Sequence, residues 1–257
     1  MIIDTHAHYD DEAFDIDREE LLESLPKNGI EYAINAGSSI SSIDQIISLA
    51  EHYSYLYCTI GIHPSETGEL NEERYAWLKE KARYPKNVAV GEIGLDYYWD
   101  TPDRSVQKLW FERQMELARE LSLPIVIHSR DAANDTYEMM KAAGADSIGG
   151  IIHCFGYGVE QARQYLNMGY YLGIGGVLTF TNGKKLKEVV EYAPLEQLVL
   201  ETDCPYLAPV PYRGKRNSSL NLPHVVHEIA RIKQVDYDTV VEVTNKNAKK
   251  IYGLTNK

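Results

Sequence analysis

Short apolar and β-branched runs alternate with longer stretches in which apolar residues recur every three or four positions, almost from end to end. The short runs cover residues 1–5, 32–36, 56–62, 88–93, 124–128, 150–153, 170–175 and 198–202. Near-continuous apolar runs of this length are what parallel strands buried on both faces require. Their repeat, roughly 20–35 residues, is that of βα units. Eight such units close on themselves most simply as a (β/α)8 TIM barrel, an α/β fold of one domain spanning residues 1–257.

Between the strands the helical period is explicit in places. Ile43, Ile46, Ile47 and Ala50 form one stripe, with Ser41 or Ser42 as the expected N-cap. Thr101-Pro102 is expected to open a further helix as cap and first residue, with Val106, Leu109, Trp110, Leu117 and Leu121 on its buried face. A last helix is expected over Tyr237–Tyr252 as a terminal cover.

Composition, cysteine usage and charge restrict the picture further. At 44% hydrophobic and 25% charged residues the chain reads as globular, and no apolar run approaches membrane-spanning length. The opening residues already look like a buried strand, so no leader is expected, and no obligate protein partner is implied. Cys58, Cys154 and Cys204 are odd in number and far apart, which suits a reducing cytoplasm better than a disulfide framework. A net charge of −12 excludes a general nucleic-acid coating protein but not an enzyme acting on phosphodiesters. Two divalent ions would bring about four positive charges to the site itself.

The candidate chemistry gathers at the strand ends. His6 and His8 lie two apart, so both imidazoles can face one ion. Glu92 ends the fourth run, His128 the fifth and His153 the sixth, and Asp203 follows the eighth. These are the carboxyl ends of strands, where barrel enzymes carry their sites. Six ligands exceed one zinc-type site and suit two ions, with Glu92 as bridge. His6, His8 and Asp203 would complete one site, and His128 and His153 the other. Glu201, two residues before Asp203, is expected to support the site from behind or to pair with a buried charge.

The chain resembles the TatD family of metal-dependent deoxyribonucleases, within the amidohydrolase superfamily. The likeness runs through Asp4-Thr5-His6-Ala7-His8, Gly61-Ile62-His63-Pro64, Gly91-Glu92-Ile93-Gly94-Leu95-Asp96-Tyr97-Tyr98 and His128-Ser129-Arg130-Asp131-Ala132. It continues in His153-Cys154-Phe155, Gly173-Ile174-Gly175-Gly176, Glu201-Thr202-Asp203-Cys204-Pro205-Tyr206 and Arg213-Gly214-Lys215-Arg216-Asn217. The resemblance implies a TIM barrel with a dinuclear site and Mg²⁺-supported 3′→5′ exonuclease activity on DNA. It also supports the ligand set above. Gly156-Tyr157-Gly158 and Ser218-Ser219 depart from the family pattern and put substrate contacts in question.

Phosphodiester chemistry supplies the expected mechanism. A water bridging the two ions is deprotonated near neutral pH and attacks phosphorus in line. Asp203 orients it and accepts its proton, beside its role as ligand. His63 is expected to donate to a substrate phosphate, and Arg213, Lys215 and Arg216 to hold backbone phosphates. Thr181-Asn182-Gly183-Lys184 opens a lysine-rich helix that offers a further phosphate position. Tyr97, Tyr98 and Trp99 offer packing surface or a stacking face for a base, whereas His224 and His227 are expected to be packing or surface residues. Mixed nitrogen and oxygen ligation admits Zn²⁺, Mn²⁺ or Co²⁺ as well as Mg²⁺. The competing readings are hydrolysis of an amide, an ester or a small phosphoester, removal of mis-attached amino acids from tRNA, and a metal-binding scaffold without activity.

Overall fold

Eight parallel strands form one sheet in sequence order, β1 (Ile2–Ala7), β2 (Ile30–Ala36), β3 (Leu56–Thr59), β4 (Asn87–Asp96), β5 (Ile125–Arg130), β6 (Gly150–Ile152), β7 (Tyr171–Ile174) and β8 (Leu198–Leu200). The computed structural model describes residues 1–254. The sheet closes on itself where Ala7 bridges Cys204 in parallel and the N–H groups of Thr202 and Asp203 donate to His6 O. All eight expected strands are present. The third, sixth, seventh and eighth are shorter than the apolar runs predicted, because the chain leaves the ladder early to form the site, whereas β4 runs on to Asp96.

The helices are α1 (Arg18–Ser24), α2 (Ile40–His52), α3 (Glu72–Lys81), α4 (Arg104–Leu121), α5 (Ala133–Ala142), α6 (Val159–Asn167), α7 (Lys184–Tyr192), α8 (Leu222–Lys233) and α9 (Tyr237–Tyr252). Three expectations need correction. The cap of α2 is Ser39, not Ser41 or Ser42, and Ser42 instead completes a capping box three residues on. Helix α4 begins two residues after Pro102, capped by the Asp103 carboxylate, which accepts from Ser105 N. Leu109, expected inside, is 52% exposed. The buried face of α4 instead runs through Gln107, Trp110, Phe111, Gln114, Leu117 and Ala118. Two glutamines at core positions disguise that face in the sequence.

Apolar side chains from every strand, namely Ile3, Ile34, Tyr57, Val88, Ala89, Val126, Ile151, Tyr171 and Val199, join Tyr252 and Leu254 in one cluster. The C-terminal end of α9 thus stoppers the amino-terminal end of the barrel, with Tyr252 Oη donating to Thr5 O. Successive residues on a strand alternate sides, so two positions beyond this layer the chain points inward again. From Val126 that step reaches His128, from Ile151 His153, from Tyr171 Gly173, and from Val199 Glu201 and then Asp203. The barrel layers therefore aim the polar residues at one mouth.

Candidate metal centre

Glu92 lies at the middle of the polar layer, 3% exposed. Its two oxygens meet different histidines. Oε2 is 3.2 Å from His6 Nε2 and 3.8 Å from His8 Nε2. Oε1 is 2.7 Å from His128 Nδ1, 3.4 Å from His153 Nε2 and 3.8 Å from His63 Nε2. Asp203 Oδ1 stands over the same ground, 3.4 Å from His8 Nε2 and 3.9 Å from both His6 Nε2 and His153 Nε2.

The structure therefore brings His6, His8, Glu92, His128, His153 and Asp203 together, and it adds His63 to the group around Glu92 and His128. The donor set suits a divalent cation: imidazole nitrogens and carboxylate oxygens turned towards one another, with His6 Nε2 and His8 Nε2 only 3.1 Å apart.

Hydrogen bonds hold the backs of the His8, His63 and His128 rings, whereas His6 Nδ1 and His153 Nδ1 are buried without a hydrogen-bond partner. His8 Nδ1 donates to Ala36 O at 3.1 Å, which leaves Nε2 facing the centre. His63 Nδ1 accepts from Ser65 N at 3.2 Å, so in the neutral ring Nε2 carries the proton. His128 donates Nε2–H to Asp96 Oδ2 at 3.0 Å, which leaves Nδ1 turned to Glu92. His153 Nδ1 lies 3.5 Å from Glu201 Oε1, an oxygen that also accepts from Cys154 N. Glu201 is buried against Gly173, where an added Cβ would sit 2.1 Å from Glu201 Oε2. Only glycine leaves room for that carboxylate. Gly94 is required in the same way, because at φ 145° its missing Cβ would fall 1.9 Å from His128 O.

Charge sorts the groups by protonation. Burial opposes ionisation of Glu92, but His153, His6 and His128 outweigh it and hold the carboxyl well below its usual range. Asp203 is held low against the same penalty by His153 and His8. Burial pulls His8 down, yet Asp203 and Glu92 raise it to about 9. The same contest, with Glu92, Glu201 and Asp203 prevailing, takes His153 to about 10. His63 goes the other way, to about 3, because burial and the neighbouring His128 disfavour its cation. Burial keeps the Cys154 thiol well above its usual range.

The predicted basic loop is less uniform than its sequence. Arg213 and Lys215 are exposed, with the Arg213 guanidinium 4.2 Å over the Phe180 ring. Arg216 is already engaged: it forms a bidentate pair with Asp17 at 2.6 and 2.7 Å and donates to Ala13 O. Lys184 and Lys185 are exposed at the start of α7, and His224 and His227 lie on α8, packed against Tyr212 and Tyr237. The two departures from the family pattern serve the scaffold. Tyr157 Oη bonds Ser129 Oγ, and Ser219 Oγ donates to the buried Asp4 carboxylate beneath His6.

Sequence reasoning missed Asp96, Gln107 and Gln114. Gln114 Oε1 accepts from Ile62 N and its amide donates to Ile62 O, fixing the backbone next to His63. For the two glutamines the signal was the presence of amides at core positions of α4, and for Asp96 its place in the motif of residues 91–98.

Residues 3–253 match the family model described as TatD related DNase. The chain belongs to the TatD-related DNase family. It is 41% identical over 254 residues to a Bacillus subtilis protein described as an uncharacterized metal-dependent hydrolase, YabD, covering 99% of this chain and 100% of that protein. It is 32% identical over 248 residues to a Rahnella protein described as a 3′-5′ ssDNA/RNA exonuclease, TatD, with 94% of each covered. The crystal structure of YJJV, a TatD homologue from Escherichia coli, superposes with a TM-score of 0.91 at 28% identity, covering 98% of both chains. The molecule is thus a metal-dependent hydrolase of this family, with clusters of His, Glu and Asp able to hold metal. Among the described residues no helix is long and apolar enough to cross a membrane.

Proposed function

We propose that this protein is a 3′→5′ exonuclease acting on single-stranded DNA or DNA 3′ ends with two divalent ions, Mg²⁺ in function. The observation that carries the reading is the divided environment of Glu92, one oxygen towards His6 and His8 and the other towards His128 and His153. His6, His8 and Asp203 would hold one ion, and His128 and His153 the other, with Glu92 shared. Bound ions supply positive charge that favours ionisation of water and offsets charge developing on a phosphoryl group.

The remaining work falls to the chain. Asp203, at the mouth and held ionised, orients the attacking water and takes its proton as oxygen bonds to phosphorus. The bond from phosphorus to the departing sugar oxygen breaks in the same displacement. Neutral His63 presents Nε2–H to a phosphoryl oxygen, its tautomer set by Ser65 N. Arg213 and Lys215 hold backbone phosphates farther out. Three free cysteines fit a protein that works in a reducing cytoplasm.

Metal-depleted protein should be assayed on 5′-labelled linear single-stranded DNA, and on an internally labelled closed circle of the same sequence, after addition of Mg²⁺, Mn²⁺, Co²⁺ or Zn²⁺ separately. The linear strand should shorten stepwise to mononucleotides while the circle survives. A circle cut as fast as the linear strand would make the protein an endonuclease. Turnover of a simple ester, an amide or charged tRNA, with neither DNA touched, would overturn the nuclease reading.

A further inference from the structure

Asp96 ends the strand that carries Glu92, and no step above uses it. Its side chain is 1% exposed, and its carboxylate accepts three hydrogen bonds. Oδ2 accepts from His128 Nε2 at 3.0 Å, and Oδ1 accepts from the N–H groups of Tyr98 at 2.9 Å and Trp99 at 3.0 Å. The backbone of Asp96 is itself clamped from α4. Gln107 Oε1 accepts from Asp96 N at 2.9 Å, and Gln107 Nε2 donates to Asp96 O and Pro102 O, each at 3.0 Å. Gln107 is fully buried, so these bonds have no competition from water.

We infer that Asp96 is a positioning residue: held by Gln107, it fixes the rotation and tautomer of His128 for one of the two ions and, with its other oxygen, anchors the turn that presents Tyr98 and Trp99 at the mouth. The inference rests on the two-ion reading above. Both ring nitrogens face a carboxylate, Nδ1 towards Glu92 Oε1 at 2.7 Å and Nε2 towards Asp96 Oδ2; a cation held beside Glu92 would displace the proton from Nδ1, while Asp96, which only accepts, would keep the other on Nε2. Tyr98 and Trp99 are 55% and 63% exposed, so the turn is held by its backbone rather than by burial of its side chains. One buried group therefore ties the orientation of a metal ligand to the geometry of the aromatic rim. Partners behind a ligating histidine typically change metal affinity by about 10–100-fold when removed.

Asp96→Asn separates the two halves of this arrangement. The two backbone N–H groups demand an oxygen, so the amide must turn its NH₂ towards His128. That reverses the ring: Nε2 must accept, and the neutral imidazole carries its proton on Nδ1, the atom facing Glu92.

Mn²⁺ titration followed by calorimetry and by electron paramagnetic resonance tests the inference without any assay of turnover. Wild type should show two binding events and, at two equivalents, a spin-coupled pair. In Asp96→Asn one event should weaken by about 10–100-fold, with the other within about twofold and the coupled signal replaced by that of isolated ions. Excess Mn²⁺ should restore the coupled signal, and KM for DNA should stay near wild type while kcat falls, because the rim keeps its anchor. If Asp96→Asn does not fold, Gln107→Met should weaken the same event in the same direction. Two wild-type events, neither altered in either variant, would overturn the positioning role alone. A single event in the wild type would refute the two-ion reading, and the role of Asp96 with it.

Discussion

The proton balance of the site follows from single residues. His8 and His153, raised to about 9 and 10 by the carboxylates around them, are cationic at pH 7 in the metal-free protein. An imidazole must be neutral to bind a cation, so loading at pH 7 expels protons. Apparent metal affinity should therefore rise with pH, about tenfold per unit for each proton released, until those pKa values are passed. Calorimetry in buffers of different ionisation enthalpy measures the protons directly, and a heat of binding independent of buffer would contradict it. Asp203 lends itself to a separate test. Asp203→Asn keeps a weak oxygen ligand and loses the base, so turnover should fall on the order of 10²–10⁴-fold with DNA affinity nearly unchanged. Metal content has to be measured beside it; full loading with near-normal turnover would remove Asp203 from the chemistry.

At the scale of elements, the loop of residues 213–216 after β8 divides its three cations between two tasks. Arg216 is held by Asp17 and lies 4.8 Å over the Phe14 ring, so it ties the loop to the segment after β1. Arg213 and Lys215 face solvent and remain available to phosphates. Removing one cation that neutralises a phosphate should lower the salt slope of DNA binding by roughly one unit. The double change of Arg213 and Lys215 to Gln should therefore weaken binding and flatten the slope by about two units. Arg216→Gln should leave the slope nearly as it was, while turnover of a small chromogenic diester is unaffected by the double change. Binding isotherms across a salt series separate the two cases, and equal slopes for wild type and double variant would move the phosphates elsewhere, with the turn at Lys184 and Lys185 next.

The whole molecule separates stability from chemistry along the barrel axis. Its metal-ligand candidates lie at the carboxyl ends of the strands, and its stopper, Tyr252 with Leu254, at the amino ends. Tyr252→Ala should cost about 3–5 kcal/mol of stability by leaving a cavity and stranding Thr5 O. Mn²⁺ affinity should stay within about twofold, since the layers of side chains between the two ends are packed and intact. Denaturant unfolding and metal titration of the same preparation decide this; a large loss of affinity would mean that the stopper shapes the mouth. The net charge of −12 also acts at this scale, because attraction for a polyanion must then be local to the ions and the exposed loop cations.

What the sequence determined by itself is what depends on short spacing. Eight apolar runs at βα intervals define the barrel, and His6, His8, Glu92, His128, His153 and Asp203 stand at or just beyond the carboxyl ends of those runs, a placement that spacing along the chain already gives. Tertiary structure decided the relations between distant positions. It set Glu92 so that its oxygens meet different histidines, brought His63 beside His128, and paired Arg216 with Asp17, 199 residues away. It also turned Gln107, Gln114 and Asp96 from apparently solvated polar residues into buried clamps. A polar side chain at a core position is stable only with its partners in place, and those partners adjoin only once the helices dock and β1 meets the segment after β8.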